Sequence, residues 1–138
     1  MKATATLSVS IAVPPAAVTA FAADARNLPQ WASGLCRSIR PDGDHWIVDT
    51  GEVEASFAFI GPTEHGILDH VVTPEGGVPV LVPMRVVPND EGSEVLFTAF
   101  RPAVMNEPEW QRDLSLVQAD LQRLKQCLEQ NLAQNPPA

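Results

Sequence analysis

"SVSIAVPPAAVTAFAADARNLPQWASG", residues 8–34, admits two readings that lead to different proteins. With Lys2 before it and "AFAADA" inside it, the stretch has the outline of a secretory leader with a small-residue cleavage site. Such a leader needs an unbroken apolar run of about 7–15 residues that can be helical. The run available, "LSVSIAVPPAAV", carries two serines and a Pro-Pro pair. The same residues alternate instead. Leu7, Val9, Ile11 and Val13 point one way and Thr6, Ser8, Ser10 and Ala12 the other, the period-2 signature of a half-buried strand. Pro14-Pro15 stops that strand and fits the first turn of a helix, where a missing N–H costs nothing. Val18, Phe21 and Ala22 then fall at i, i+3 and i+4 on one helical face. "RNLPQWASG" continues as a break and a second short helix, with Asn27 at its N-cap, Pro29 in its first turn and Gly34 at its end.

Downstream, to about residue 103, strands are separated by turn residues. "LCRSIR" and "HWIVDT" flank "PDGD"; "EVEASFAFI" and "GILDHVVT" flank "GPTEH"; "VPVLVPMRVV" and "SEVLFTAF" flank "PNDEG". Three hairpins and the first strand make seven strands, paired with their sequence neighbours as an antiparallel meander. The chain then changes period. In "NEPEWQRDLSLVQADLQRLKQCLEQN", Trp110, Leu114, Val117, Leu121, Leu124 and Leu128 recur at alternating spacings of four and three, and Asn106 and Glu109 stand in capping-box relationship. About 24 helical residues span on the order of 36 Å, enough to cross a sheet. Fewer than four heptads, beside a sheet that otherwise lacks a cover, favour packing within the chain over a dimeric coiled coil.

The totals bound the function. With 138 residues the chain makes one domain, 1–138, with a core over about 5–130 and a frayed tail at 131–138. Net charge is −8 with no cluster of lysine and arginine, which argues against nucleic acid and against anionic membrane surfaces as partners. No apolar run reaches membrane-spanning length. Cys36 and Cys127 are far apart and in no metal or redox spacing, so they read as free thiols in a reducing, cytoplasmic compartment. His45, His65 and His70 share no ligand spacing, and neither a metal nor another cofactor is expected.

One strand, two short helices, six antiparallel strands and a long closing helix resembles the helix-grip fold of the START-like (SRPBCC) superfamily, which includes polyketide cyclase/dehydrase-like proteins. The likeness lies in the opening stretch, in "HGILDHVVTPEGG" and "VPMRVVPNDEGSEVLFTAFRP", and in the helix from Glu107. It implies an α+β fold in which a seven-stranded sheet curls around the C-terminal helix and leaves a cavity for hydrophobic molecules. Pro79, Pro83 and Pro88 fit that sheet poorly, because proline removes a ladder bond; a bulge or bend near Pro83 is expected.

Pairing Ile60 with Ile67 sets Phe59 opposite Leu68, Phe57 opposite His70 and Ala55 opposite Val72, all on one, inner, face. His70 is then either a strand histidine bonded to a neighbour, or the polar contact or general acid/base of a site. Pairing Pro88 with Ser93 puts Arg85 on one face with Leu81, Val87, Leu96, Thr98 and Phe100. The other face then holds Val82, Met84, Val86, Val95, Phe97, Ala99 and Arg101; both faces are apolar with one arginine, and the pattern leaves open which is interior. An inward Arg85 needs a carboxylate, from Asp69, Glu52 or a ligand. Trp31 is either core or a lid on the cavity mouth.

The candidate ligand-binding set is Trp31, Phe57, Phe59, His70, Arg85, Val117 and Leu121. The leading function is binding of a small hydrophobic ligand, as carrier or sensor, by a monomer or homodimer. The alternative is a cyclase or dehydratase in which His70 moves protons and Arg85 polarises a carbonyl. A protein–protein module using the outer face of the sheet is a third class, and it requires a large exposed apolar patch.

Overall fold

Alternation builds the first strand, and proline ends it. The computed structural model describes residues 1–134, with side chains through Asn131. β1 is Thr4–Ile11, with Val9 and Ile11 buried and Ser8 and Ser10 exposed. Pro14 occupies the N-cap of α1 (Pro15–Ala22), whose Val18 and Ala22 enter the core. A 3₁₀ turn over Ala25–Asn27 leads into α2 (Leu28–Trp31). The capping carboxylate here is Asp24: its Oδ1 accepts from the Arg26 N–H at 3.1 Å, an Asx turn. Asn27 stands at the N-cap of α2, but its side chain turns back and donates to the Phe21 carbonyl at 3.0 Å.

The strands that follow are β2 (Ser38–Asp42), β3 (His45–Asp49), β4 (Glu54–Phe59), β5 (His70–Pro74), β6 (Val80–Val82), β7 (Met84–Asn89) and β8 (Gly92–Phe100). Eight strands therefore replace the seven expected, in two antiparallel sheets ordered β2-β3-β4-β5-β6 and β1-β8-β7. The extra strand comes from Pro83. Without an N–H it cannot continue the ladder, so "VPVLVPMRVV" bends there; Val80–Val82 pairs with β5 and Met84–Asn89 with β8. The two sheets meet along this line through bonds from Leu68 N–H to the Met84 carbonyl (2.8 Å), Val86 N–H to Gly66 (2.9 Å) and Thr98 N–H to Pro83 (2.9 Å). Gly66 is needed there twice over. Its φ is +77°, and an added Cβ would stand 2.7 Å from the Val86 carbonyl oxygen.

Pro88 pairs with Ser93 as expected, and burial resolves which face is inner: Met84, Val86 and Val95 are buried, whereas Arg85 and Val87 face outward. The β4–β5 register differs from expectation. Phe59 pairs with His70 and Phe57 with Val72, two residues beyond the expected pairing. The loop is longer because Thr63–His65 forms a 3₁₀ turn and Ile67 and Leu68 leave β4 to bond β7 instead. An even shift preserves side-chain parity, so Ala55, Phe57, Phe59, His70 and Val72 still share one face.

α3 spans Glu107–Gln134. Its capping box is formed: Glu109 N–H donates to Asn106 Oδ1 at 2.9 Å and Asn106 N–H to Glu109 Oε1 at 3.0 Å. The helix packs chiefly against β1 and α2. Trp110, Leu121, Leu124 and Leu128 are buried, and Leu114 and Val117 half-buried. The helix includes residues 131–134 of the expected tail; 135–138 lie outside the described residues. Among the described residues, no helix is long and apolar enough to cross a membrane.

Leu124 has no accessible surface, whereas Leu116, on the same helix, is substantially exposed. Leu124→Ala is expected to lower the unfolding free energy by about 2–5 kcal/mol and Leu116→Ala by less than about 1 kcal/mol, as measured by urea denaturation at constant m-value.

Candidate functional site

A cavity of about 330 Å³ lies where α3 faces the sheet. The sheet supplies an aromatic wall. Phe57, Phe59 and His70 come from facing positions on β4 and β5, and Phe97 from β8. The His70 ring stacks on Phe57 (centroids 4.8 Å apart, planes at 28°), while Phe59 meets Phe57 edge-on at 5.1 Å. Phe97 approaches His70 edge-on at 6.3 Å. The helical wall is Val117 and Leu121 of α3 together with Trp31 of α2.

His70 is 5 % exposed, and its Nδ1 lies 2.9 Å from the Leu68 carbonyl oxygen. A carbonyl only accepts, so Nδ1 carries the proton and the Nε2 lone pair is the free acceptor of the neutral ring. Burial pushes the His70 pKa below its ordinary 6.5, outweighing the Leu68 bond and the charge of Asp69. The ring is therefore neutral at physiological pH.

Trp31 is 4 % exposed and packed into the core while also lining the cavity. The core placement holds, with one side of the residue on the cavity. Its indole Nε1 is buried with no hydrogen-bond partner among the described residues.

Two carboxylates border the cavity from α3, Asp113 and Asp120. Asp120, 9 % exposed, accepts from the Gly34 N–H at 3.1 Å and pairs with Arg123, whose Nε also donates to the Trp31 carbonyl at 3.2 Å. Desolvation nevertheless raises its pKa, and raises that of Asp113 at the rim. Their spacing places them beside Val117 and Leu121 on one side of the helix. That spacing is the sequence signal by which they could have been found; they had not been singled out. Met84 and Phe97, also in the lining, belong to the inner face that the pattern had left open.

Six of the seven candidate residues thus border one cavity: Trp31, Phe57, Phe59, His70, Val117 and Leu121. Arg85 does not. Its side chain is 50 % exposed on the outer face, held by Asp69 through Nε–Oδ1 (3.0 Å) and Nη2–Oδ2 (2.8 Å). Strand alternation puts Met84 and Val86 inward and so Arg85 outward. Asp69 also accepts from the Met84 N–H at 2.9 Å, and the Arg85 guanidinium holds its carboxyl below the usual range. Neither polarisation of a ligand carbonyl nor capture of a ligand carboxylate is within reach of an arginine so placed. Cys36 is buried, with a thiol pKa pushed up to about 11 by burial and then by Asp49, which removes it as a nucleophile.

Residues 2–129 match the model of a family described as polyketide cyclase / dehydrase and lipid transport. Among solved structures, the chain is similar to XoxI from Bacillus cereus, at 17% identity and TM-score 0.72, covering 91% of this chain and 95% of that one. It is similar to Ara h 8.0201 at 16% identity and TM-score 0.68, covering 95% and 100%. It is also similar to the Zhui aromatase/cyclase from Streptomyces sp. R1128, at 10% identity and TM-score 0.67, covering 96% of each. At these identities the likeness is one of fold. A curated "UPF0280 protein" of Methanoregula boonei is 37% identical over 73 residues, 51% of this chain; the match spans about a quarter of that protein's length (27%).

The buried neutral His70 has a consequence for stability. The unfolded chain protonates it near 6.5, the folded protein only at lower pH. Its contribution is therefore intact above about 6.5 and is lost as pH falls through the window below. Asp113 and Asp120, with raised pKa values, act in the opposite sense, so the comparison must isolate His70. The loss of stability between about pH 7.5 and pH 5.5 should be smaller in His70→Gln than in the parent, and ¹⁵N spectra at neutral pH should show Nδ1 protonated.

Proposed function

The chain belongs to the polyketide cyclase/dehydrase and lipid transport family, and on that premise we propose that it binds a small hydrophobic molecule in the cavity beneath α3, as a carrier or sensor. The observation that carries the reading is the cavity itself: about 330 Å³, walled by aromatic and aliphatic side chains, with His70 as a buried polar point. Apolar walls with a few convergent polar atoms are the usual make-up of a ligand site, and the volume falls at the lower end of such sites. The aromatic wall and the face of α3 would together cover most of a bound ring system, so affinity would come from apolar area removed from water.

One observation favours a second reading. His70 is neutral, locked in one tautomer by Leu68, and keeps a basic Nε2. That is a group suited to moving a proton in a cyclase or dehydratase reaction on the same ligand. The two readings separate on His70→Gln. A carrier changes in affinity alone, whereas an enzyme loses about 10²–10⁴ in rate.

Native mass spectrometry of the protein as purified should show a bound small molecule or an adduct-free chain that takes up the neutral fluorophore prodan with a blue shift. Val117→Trp, which fills the helical wall, should weaken prodan at least about tenfold. Arg85→Ala should leave binding within about twofold, because that side chain is outside the cavity. An unchanged affinity in Val117→Trp, with native circular dichroism, would refute the placement of the ligand.

A further inference from the structure

The polar atoms around the cavity are few enough to select among ligands. Trp31 Nε1–H is not one of them: it is buried with essentially no surface that a ligand atom could touch. His70 supplies the acceptor: with Nδ1–H committed to Leu68, its Nε2 can only accept while the ring is neutral. The charged groups in the lining are Asp113 and Asp120, and no lysine or arginine is among the lining residues described. Arg123 sits behind Asp120, already engaged by it and by the Trp31 carbonyl. Asp113 is open to water at the rim, and Asp120 is nearly covered and ion-paired with Arg123. An incoming carboxylate would thus lose its hydration and find no unengaged cation among the lining residues described. Size sets a further limit. About 330 Å³ lies at the lower end of small-molecule sites, which suits a molecule of a few rings.

We propose that the cavity takes an uncharged, hydroxyl-bearing molecule of a few rings, bonded through its hydroxyl proton to His70 Nε2, and that it rejects carboxylates. This rests on the ligand-binding reading above. It names the ligand's charge and polar group, which that reading leaves open.

Three ligands of one ring skeleton test it: naphthalene, 2-naphthol and 2-naphthoate, titrated into the full chain at about pH 7.5, where the naphthol is neutral and the naphthoate ionised. The expected result is 2-naphthol binding about fivefold or more tighter than naphthalene, one net hydrogen bond's worth, despite its lower hydrophobicity. The naphthoate should bind at least about tenfold more weakly than the naphthol. The His70 Nε2 resonance should move with 2-naphthol and not with naphthalene. In His70→Phe the naphthol-to-naphthalene affinity ratio should fall toward one. Should that variant fail to fold, the ratio and the Nε2 shift in the parent protein still decide. Equal affinities for naphthol and naphthalene, or a naphthoate that matches the naphthol, overturn the proposed selection while leaving hydrophobic binding intact. Failure of all three to bind overturns both.

Discussion

The C-terminal half of α3 is fastened to the end of β1, and the cavity exists because of where that fastening stops. Leu121, Leu124 and Leu128 lie in the core at successive turns, each worth about 1.5–3 kcal/mol of transfer from water. Beside them Lys125 Nζ donates to the Ser10 carbonyl at 2.6 Å, and Glu129 accepts the Ala12 N–H at 2.9 Å, just past the last residue of the strand. The bond from Ala12 is the main reason the Glu129 carboxyl stays low in pKa and charged. Toward the N-terminus the same face carries Val117 and Leu114, only half-buried, and then Asp113. There the helix has the cavity beneath it. Side-chain volume on the sheet is spent on Phe57, Phe59 and Phe97, which gather around the His70 ring, Phe57 stacked on it and the other two edge-on, and do not reach across to fill the space.

The closure on the other side is made by main chain. Gly34, just past α2, gives its N–H to Asp120, and an added Cβ there would stand 3.0 Å from Asp120 Oδ1. Arg123 takes the Trp31 carbonyl. These bonds hold α2 against α3 by its backbone, and they fix the Trp31 indole without using its N–H.

Much of this was legible in the residues, and the failures have identifiable causes. Alternation over Thr6–Val13, the Pro-Pro stop and the four-three spacing from Trp110 to Leu128 each report a local periodicity, and local periodicity survives folding. The Asn106–Glu109 cap is likewise a contact between near neighbours. The β4–β5 pairing went wrong by two residues because a turn's length depends on what its arms bond to next. Ile67 and Leu68 pair with β7, a partner distant in sequence. The even error spared the inner face, so His70 remained with Phe57 and Phe59. Arg85 was undecidable in isolation, since both faces of its strand are apolar with one arginine each. Its orientation follows from which face meets the core, a long-range fact. Asp113 and Asp120 went unremarked among the charges of α3, and it is the proximity of α2 that makes Asp120 nearly buried.

Pro83 divides the wall into two leaves, and that division bears on how the hollow tolerates its contents. A continuous sheet would resist any change of girth, because widening it means breaking a ladder along a whole strand. Here the leaves join mainly over Gly66–Leu68, Pro83–Val86 and Thr98, and a missing amide sits at the crease. Flexing about that crease strains a handful of bonds worth about 1 kcal/mol each, and leaves the strand pairing inside either leaf untouched. The receptacle is thus a shell of two continuous valves joined along a single, sparsely bonded crease.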